Sequence, residues 1–130
     1  MENKIKHLEF IQQIISRMNT NSFLLKGWSV TIMAGLFALA AKDSNQHFIL
    51  ITYFPILVFG ILDAYFLSQE RQYRALYNKV RLMSEESIDF DMQTNGLNEG
   101  KNHIANAFIS STIAIFYLSL LAITTLVIIL

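Results

Sequence analysis

Hydrophobic and polar positions are sorted into blocks along this chain, not spread evenly. Residues 23–41 form an apolar run with one charge, Lys26, near its start. Residues 48–67 form a second, with one charge, Asp63, near its end, and residues 105–130 form a third with none. A helix that crosses the hydrocarbon layer needs about 20 consecutive, mostly apolar residues. Each block meets that requirement, so the pattern predicts an all-α membrane protein with three transmembrane helices.

The flanking segments carry helical periodicity of a different kind. In residues 1–20, Leu8, Ile11, Ile15 and Met18 fall on one stripe, with Lys6, Glu9, Gln13 and Arg17 elsewhere, as in an amphipathic helix. Asn19-Thr20-Asn21-Ser22 supplies N-cap residue types and predicts a restart or kink before Phe23. Beyond the second span, Gln69, Tyr73, Leu76, Val80 and Met83 continue a stripe, and no Gly or Pro intervenes between Tyr65 and Met83. The second span is therefore expected to continue into a helical extension over 68–83. Periodicity fades in 84–103, where Glu85, Glu86, Asp89, Asp91, Asn95-Gly96 and Gly100 read as a polar loop with a turn. The chain makes a single helical unit with no internal repeat.

Composition agrees with a lipid setting: 53% of residues are hydrophobic and 15% charged, against about a quarter charged in soluble domains. The N-terminus lacks the form of a secretory signal, because charges interrupt its apolar positions. Nine of the ten Lys and Arg residues precede or enter the first span or follow the second; the connection between those spans holds only Lys42. Basic residues collect on the cytoplasmic side. The expected topology is a multi-pass protein of the bacterial inner membrane, with the N-terminus and the long loop cytoplasmic and the C-terminus outside.

The two charges within the blocks are the sharpest candidates for function. A hairpin whose turn is centred between Ser44 and Asn45 pairs positions whose numbers sum to 89, which sets Lys26 against Asp63. The same register places Gly35 near Pro55 and Gly60 near Trp28. A charge within a span costs about 2.5–3.5 kcal/mol on insertion scales and pairs, or lines a cavity. The alternatives are separate snorkelling of the two side chains to the surface and a pore-lining role.

Gly27, Gly35, Gly60, Ser110, Ser111 and Ser119 are candidate helix-packing positions, small residues that let helices approach. Ser110, Ser111, Thr112, Ser119, Thr124 and Thr125 would alternatively line a water path in an oligomer. Three spans with little other mass enclose no lumen alone, so a pore requires several copies and a homo-oligomer is expected. Arg71, Arg74, Lys79 and Arg81 with Tyr73 and Tyr77 form a candidate surface for a cytosolic partner, a nucleotide or an anionic lipid; interfacial anchoring explains the same residues. Glu9 is expected near Lys79.

Catalysis has no supporting pattern. The three histidines, His7, His47 and His103, fall on both sides of the expected membrane, and no Ser-His-Asp grouping, phosphate-binding glycine loop or helix-borne His pair occurs. No Arg is followed four to six residues later by His, the spacing of a small-effector ribonuclease motif. Glu85, Glu86, Asp89 and Asp91 match no calcium loop. The absence of cysteine removes disulfides and thiolate ligands. No enzyme, cofactor or metal is expected, and a net charge of zero argues against direct nucleic-acid binding.

The runs Asn-Ser-Phe-Leu-Leu-Lys-Gly-Trp at 21–28 and Asp-Ala-Tyr-Phe-Leu-Ser-Gln-Glu-Arg at 63–71 resemble a family of small bacterial membrane proteins associated with anti-phage defence cassettes, where they accompany cytosolic sensors or nucleases. The resemblance covers about the first two thirds of the chain and assigns no residue a role. It implies a membrane effector, or an anchor, that acts through a partner. Three function classes follow: an oligomeric effector that perturbs the membrane after a cytosolic signal, a non-catalytic anchor that assembles a cytosolic complex, and a transporter subunit, for which one charge pair offers little substrate chemistry.

Overall fold

The computed structural model describes residues 1–43 and 47–130. The expected hairpin centre at Ser44–Asn45 lies outside the described residues. The described chain is helical, with no strand. Its elements are α1 (Glu2–Asp43), α2 (His47–Ile51), α3 (Tyr53–Val80), a connector with 3-10 turns at Glu85–Ser87 and Gly100–Asn102, α4 (Ile104–Phe108) and α5 (Ser111–Ile129). Three helical stretches are long and apolar enough to cross a membrane, and they fall in α1, in α2 with α3, and in α5.

α1 runs uninterrupted for 42 residues, about 63 Å at 1.5 Å per residue. The restart predicted at Asn19–Ser22 is absent, and residues 1–20 are the first half of one helix. The reason is phase. Ile11, Ile15, Leu25, Ser29, Met33 and Ala40 are buried on a single continuous stripe, so the packing surface passes through the polar tetrad without a shift. Asn, Thr and Ser cost only tenths of a kcal/mol each in a helix interior.

α1 packs antiparallel on α3, the most extensive contact between elements. Two clusters line this interface. Met33, Ile56, Ala64, Ala107, Ile113, Tyr117 and Leu120 join the apolar parts of α1, α3, α4 and α5. Ile11, Ile15, Leu76 and Val80 join the polar extensions, with Tyr73, Tyr77, Ile88, Met92 and Leu97 against them. Met33 and Ile56 satisfy the same pairing sum as Lys26 and Asp63, so one register holds through the apolar part.

Two further points differ from the sequence expectation. At Thr52, between α2 and α3, the backbone stays helical (φ −59°, ψ −28°) but tightens by one residue, the Thr52 N–H donating to the Ile49 carbonyl at 3.0 Å; Pro55, three residues on, has no N–H to give back to this turn. The third apolar block breaks at Ile109–Ser110, where Ser110 Oγ accepts from the Ile113 N–H at 3.4 Å and caps α5. α5 is then about 28 Å long, close to the hydrocarbon thickness.

The connector is not a free loop. Glu85 accepts from the backbone N–H groups of Asn3 (2.9 Å) and Lys4 (3.2 Å), and the Met1 ammonium lies 2.7 Å away. The Met1 ammonium, and then those two backbone N–H groups, hold the Glu85 carboxyl below the usual carboxylate range. Buried His7 bonds the Asp91 carbonyl at 3.0 Å and stacks near Phe90, which has φ +56°. Thr94 donates to Gln72 at 2.9 Å, and Ser68 donates to the Asn102 carbonyl at 2.5 Å. The connector thus straps the start of α1 to α3, using backbone acceptors and donors that a polarity pattern does not reveal.

Candidate functional site

Ser22 and Lys26 are four residues apart on α1 and share a face. The register brings that face to Asp63 of α3. Asp63 is fully buried, while Lys26 keeps 21% of its side-chain surface exposed. Ser22 Oγ donates to one carboxylate oxygen of Asp63, and Lys26 Nζ forms an ion pair with the other. Lys26 also donates to Ser22 Oγ at 3.0 Å, which closes a ring of three side chains. The fourth member comes from α5: Tyr117 donates its hydroxyl to the Lys26-bound oxygen of Asp63 at 3.0 Å. Lys26 Nζ lies 5.7 and 5.9 Å from the ring centroids of Phe116 and Tyr117, within cation–π range.

This cluster ties all three long helices together at one level. Its formal charge sums to zero, and every oxygen of Asp63 has a donor. That is the arrangement in which a buried ion pair offsets its desolvation cost; removing one partner would strand the other. Chemically it offers one carboxylate, one ammonium and one phenol, a set that can hold a proton or a salt link.

The structure distributes the remaining candidates as follows. Gly60 packs under Tyr117, with ring atoms 3.5–3.9 Å from the position of an added Cβ, instead of against Trp28 as the register suggested. Tyr117 reaches Asp63 across this glycine. Among the described residues nothing lies within 4 Å of a Cβ added at Gly27 or Gly35, and both are exposed, so neither glycine is required there by a close approach. Ser111 and Ser119 are exposed, and Ser119 bonds its own helix at the Ile115 carbonyl, 2.6 Å. Buried Thr124 donates to the Leu120 carbonyl and lies 3.8 Å from Met33 Sδ.

The basic and aromatic stripe divides into two. Tyr73 and Tyr77 turn inward against the Ile11–Leu76 cluster. Arg71 and Arg74 line a shallow depression of about 270 Å³ with Ala75, Asn78 and Asn102, and Lys79 and Arg81 are exposed. Glu9 pairs with Lys6 at 3.9 Å and shares a small concavity with Tyr77, two residues before Lys79.

Sequence reading missed Ser22, taken as a cap, and Tyr117. Tyr117 left a signal: it is the one tyrosine in residues 105–130, in the interior of the block and away from the block ends where tyrosines gather. Among the described residues no group of three or more His, Asp or Glu side chains is placed to hold a metal ion. Comparison with protein-family models, with curated proteins and with solved structures finds no match to this chain.

Proposed function

We propose that this chain is a non-catalytic, homo-oligomeric effector of the bacterial inner membrane that perturbs the bilayer when a cytosolic partner or signal acts on its polar extension. The observation that carries the reading is the Ser22–Lys26–Asp63–Tyr117 cluster. An anchor needs no buried ion pair, and ionisable groups within spans mark function more often than support. Here the pair sits where all three helices meet, so breaking it removes a polar tie between α5 and the hairpin and leaves mainly apolar packing to hold them. The α1 and α3 extensions, strapped together by the connector, transmit force or binding energy to that point. In this topology the N-terminus and the connector are cytoplasmic and the C-terminus is outside. Outward-facing Gly27, Gly35, Ser111 and Ser119 serve contacts between copies.

Reconstituted in dye-loaded vesicles, the wild-type chain is expected to stay tight without its signal, and Asp63→Asn to release dye and arrest growth on expression. The anchor reading is favoured by one observation, the connector fixed along the extensions as a formed surface. If neither protein releases dye nor arrests growth and both co-purify with a soluble protein, the anchor reading replaces the effector.

A further inference from the structure

One face of α3 carries two concavities of opposite character. Positions 57, 61, 64, 68, 71, 75 and 78 advance by alternating steps of four and three and so share a helix face. At its apolar end, Leu57, Gly60 and Ile61 join Phe108, Ile109 and Leu118 around a groove of about 360 Å³. At its polar end lies the depression of Arg71, Arg74, Asn78 and Asn102. α4 sits between them, with Ala107 in the cluster that holds Ala64 and the Asn102 carbonyl bonded by Ser68.

The spacing is informative once the three apolar helices are taken as spans, a reading on which this inference rests. Arg71 and Arg74 lie about 6 and 10 Å beyond Leu67 along the axis. The headgroup layer outside the hydrocarbon is about 5–8 Å thick, so Arg71 lies within it, and Arg74, just beyond it, reaches back because helical side chains tilt toward the helix N-terminus, here the apolar end. The two concavities are about 20 Å apart along α3, the depth of one leaflet. The depression itself is lined by two guanidinium groups and two carboxamides, with the Glu70 carboxylate beside it on Arg74. Guanidinium forks match phosphate oxygens, and Asn supplies further donors. Glu70, its side chain 13% exposed, accepts one hydrogen bond from Arg74 at 3.1 Å; the Arg74 side chain is 58% exposed and keeps the other donors of its fork for a phosphate.

We infer that the two concavities, on either side of α4, bind one anionic glycerophospholipid that passes over α4, its phosphate on Arg71, Arg74 and Asn78 and an acyl chain in the groove bounded by Leu57, Ile61 and Ile109. A general basic belt would attract anionic lipid without retaining any one molecule. A site with both a phosphate seat and a chain groove retains lipid through detergent exchange.

The test uses the full chain, extracted in mild detergent and washed free of bulk lipid, with bound phospholipid quantified by mass spectrometry. Wild type is expected to keep phosphatidylglycerol or cardiolipin in preference to phosphatidylethanolamine. Arg71→Gln with Arg74→Gln should lower that retention about tenfold or more, Ile61→Trp should lower it by filling the groove, and the double Lys variant should keep most of it. Millimolar inorganic phosphate should leave the lipid in place. Should a variant fail to fold, rebinding to the stripped wild type decides: phosphatidylglycerol added in detergent should bind and phosphatidylcholine should not. Retention in the proportions of the source membrane, equal retention in the Gln variant, or displacement by inorganic phosphate would each overturn the site. None of these readouts depends on dye release, so the lipid site and the effector reading fail separately.

Discussion

Asp63 receives donors from Ser22 and Lys26 on α1 and Tyr117 on α5. Losing one of them is a defined experiment. Tyr117→Phe keeps the ring over Gly60 and removes one hydrogen bond to a buried carboxylate. It is expected to cost about 1 kcal/mol in a micelle unfolding assay, in the range of interhelical bonds within membranes. Asp63→Ala strands the Lys26 ammonium and should cost about 3–5 kcal/mol; adding Lys26→Leu should recover much of it. If Asp63→Ala were as stable as wild type, the cluster would bear no load. Gly60 gives a finer discrimination. A Cβ there meets Tyr117 at an ordinary 3.5 Å, so Gly60→Ala should be neutral or slightly stabilising. Gly60→Leu should push the phenol off Asp63 and reproduce the loss seen in Tyr117→Phe.

Among the elements, the connector is where polarity and structure diverge most. Its carboxylates and turns read as a solvated loop, yet Ile88, Met92 and Leu97 pack against the Ile11–Leu76 cluster, and Glu85 terminates α1 from 81 positions away in sequence. A carboxylate at a helix N-terminus satisfies donors that the helix cannot. Because the folded state holds Glu85 below its unfolded value, its contribution is complete above the unfolded pKa. That contribution disappears as pH falls through the folded pKa. Glu85→Gln should therefore loosen the strap at neutral pH, read as faster amide exchange over residues 84–92. Acidification should produce the same loosening in wild type and little further change in the variant. Unaltered exchange in Glu85→Gln would show that the Ile88 and Met92 contacts hold the strap alone. α1 shows the converse lesson. Its polar tetrad carries cap chemistry, but the buried stripe on either side stays in phase, and Ser22 spends its hydroxyl on Asp63.

For the molecule as a whole, a chain without cysteine permits single-cysteine mapping on a clean background. Lys42→Cys is expected to react with an impermeant maleimide applied to intact cells, and Lys79→Cys only after permeabilisation. The opposite result would invert the topology and move the basic extensions outside. The three apolar blocks and the continuation of α3 to Val80 were legible in the sequence, and the hairpin register offered the pairing of Lys26 with Asp63 as one of three alternatives. Each follows from a local rule: block length against hydrocarbon thickness, helical period, and the symmetry of a short antiparallel hairpin. What only the tertiary structure decided were the contacts set by the position of the third helix and the path of the connector. No local rule fixes the rotation of α5, so neither Tyr117 as a ligand of Asp63 nor Gly60 as the gap it crosses was readable. The strap, likewise, depends on backbone donors and acceptors, which every residue carries alike and no sequence pattern distinguishes.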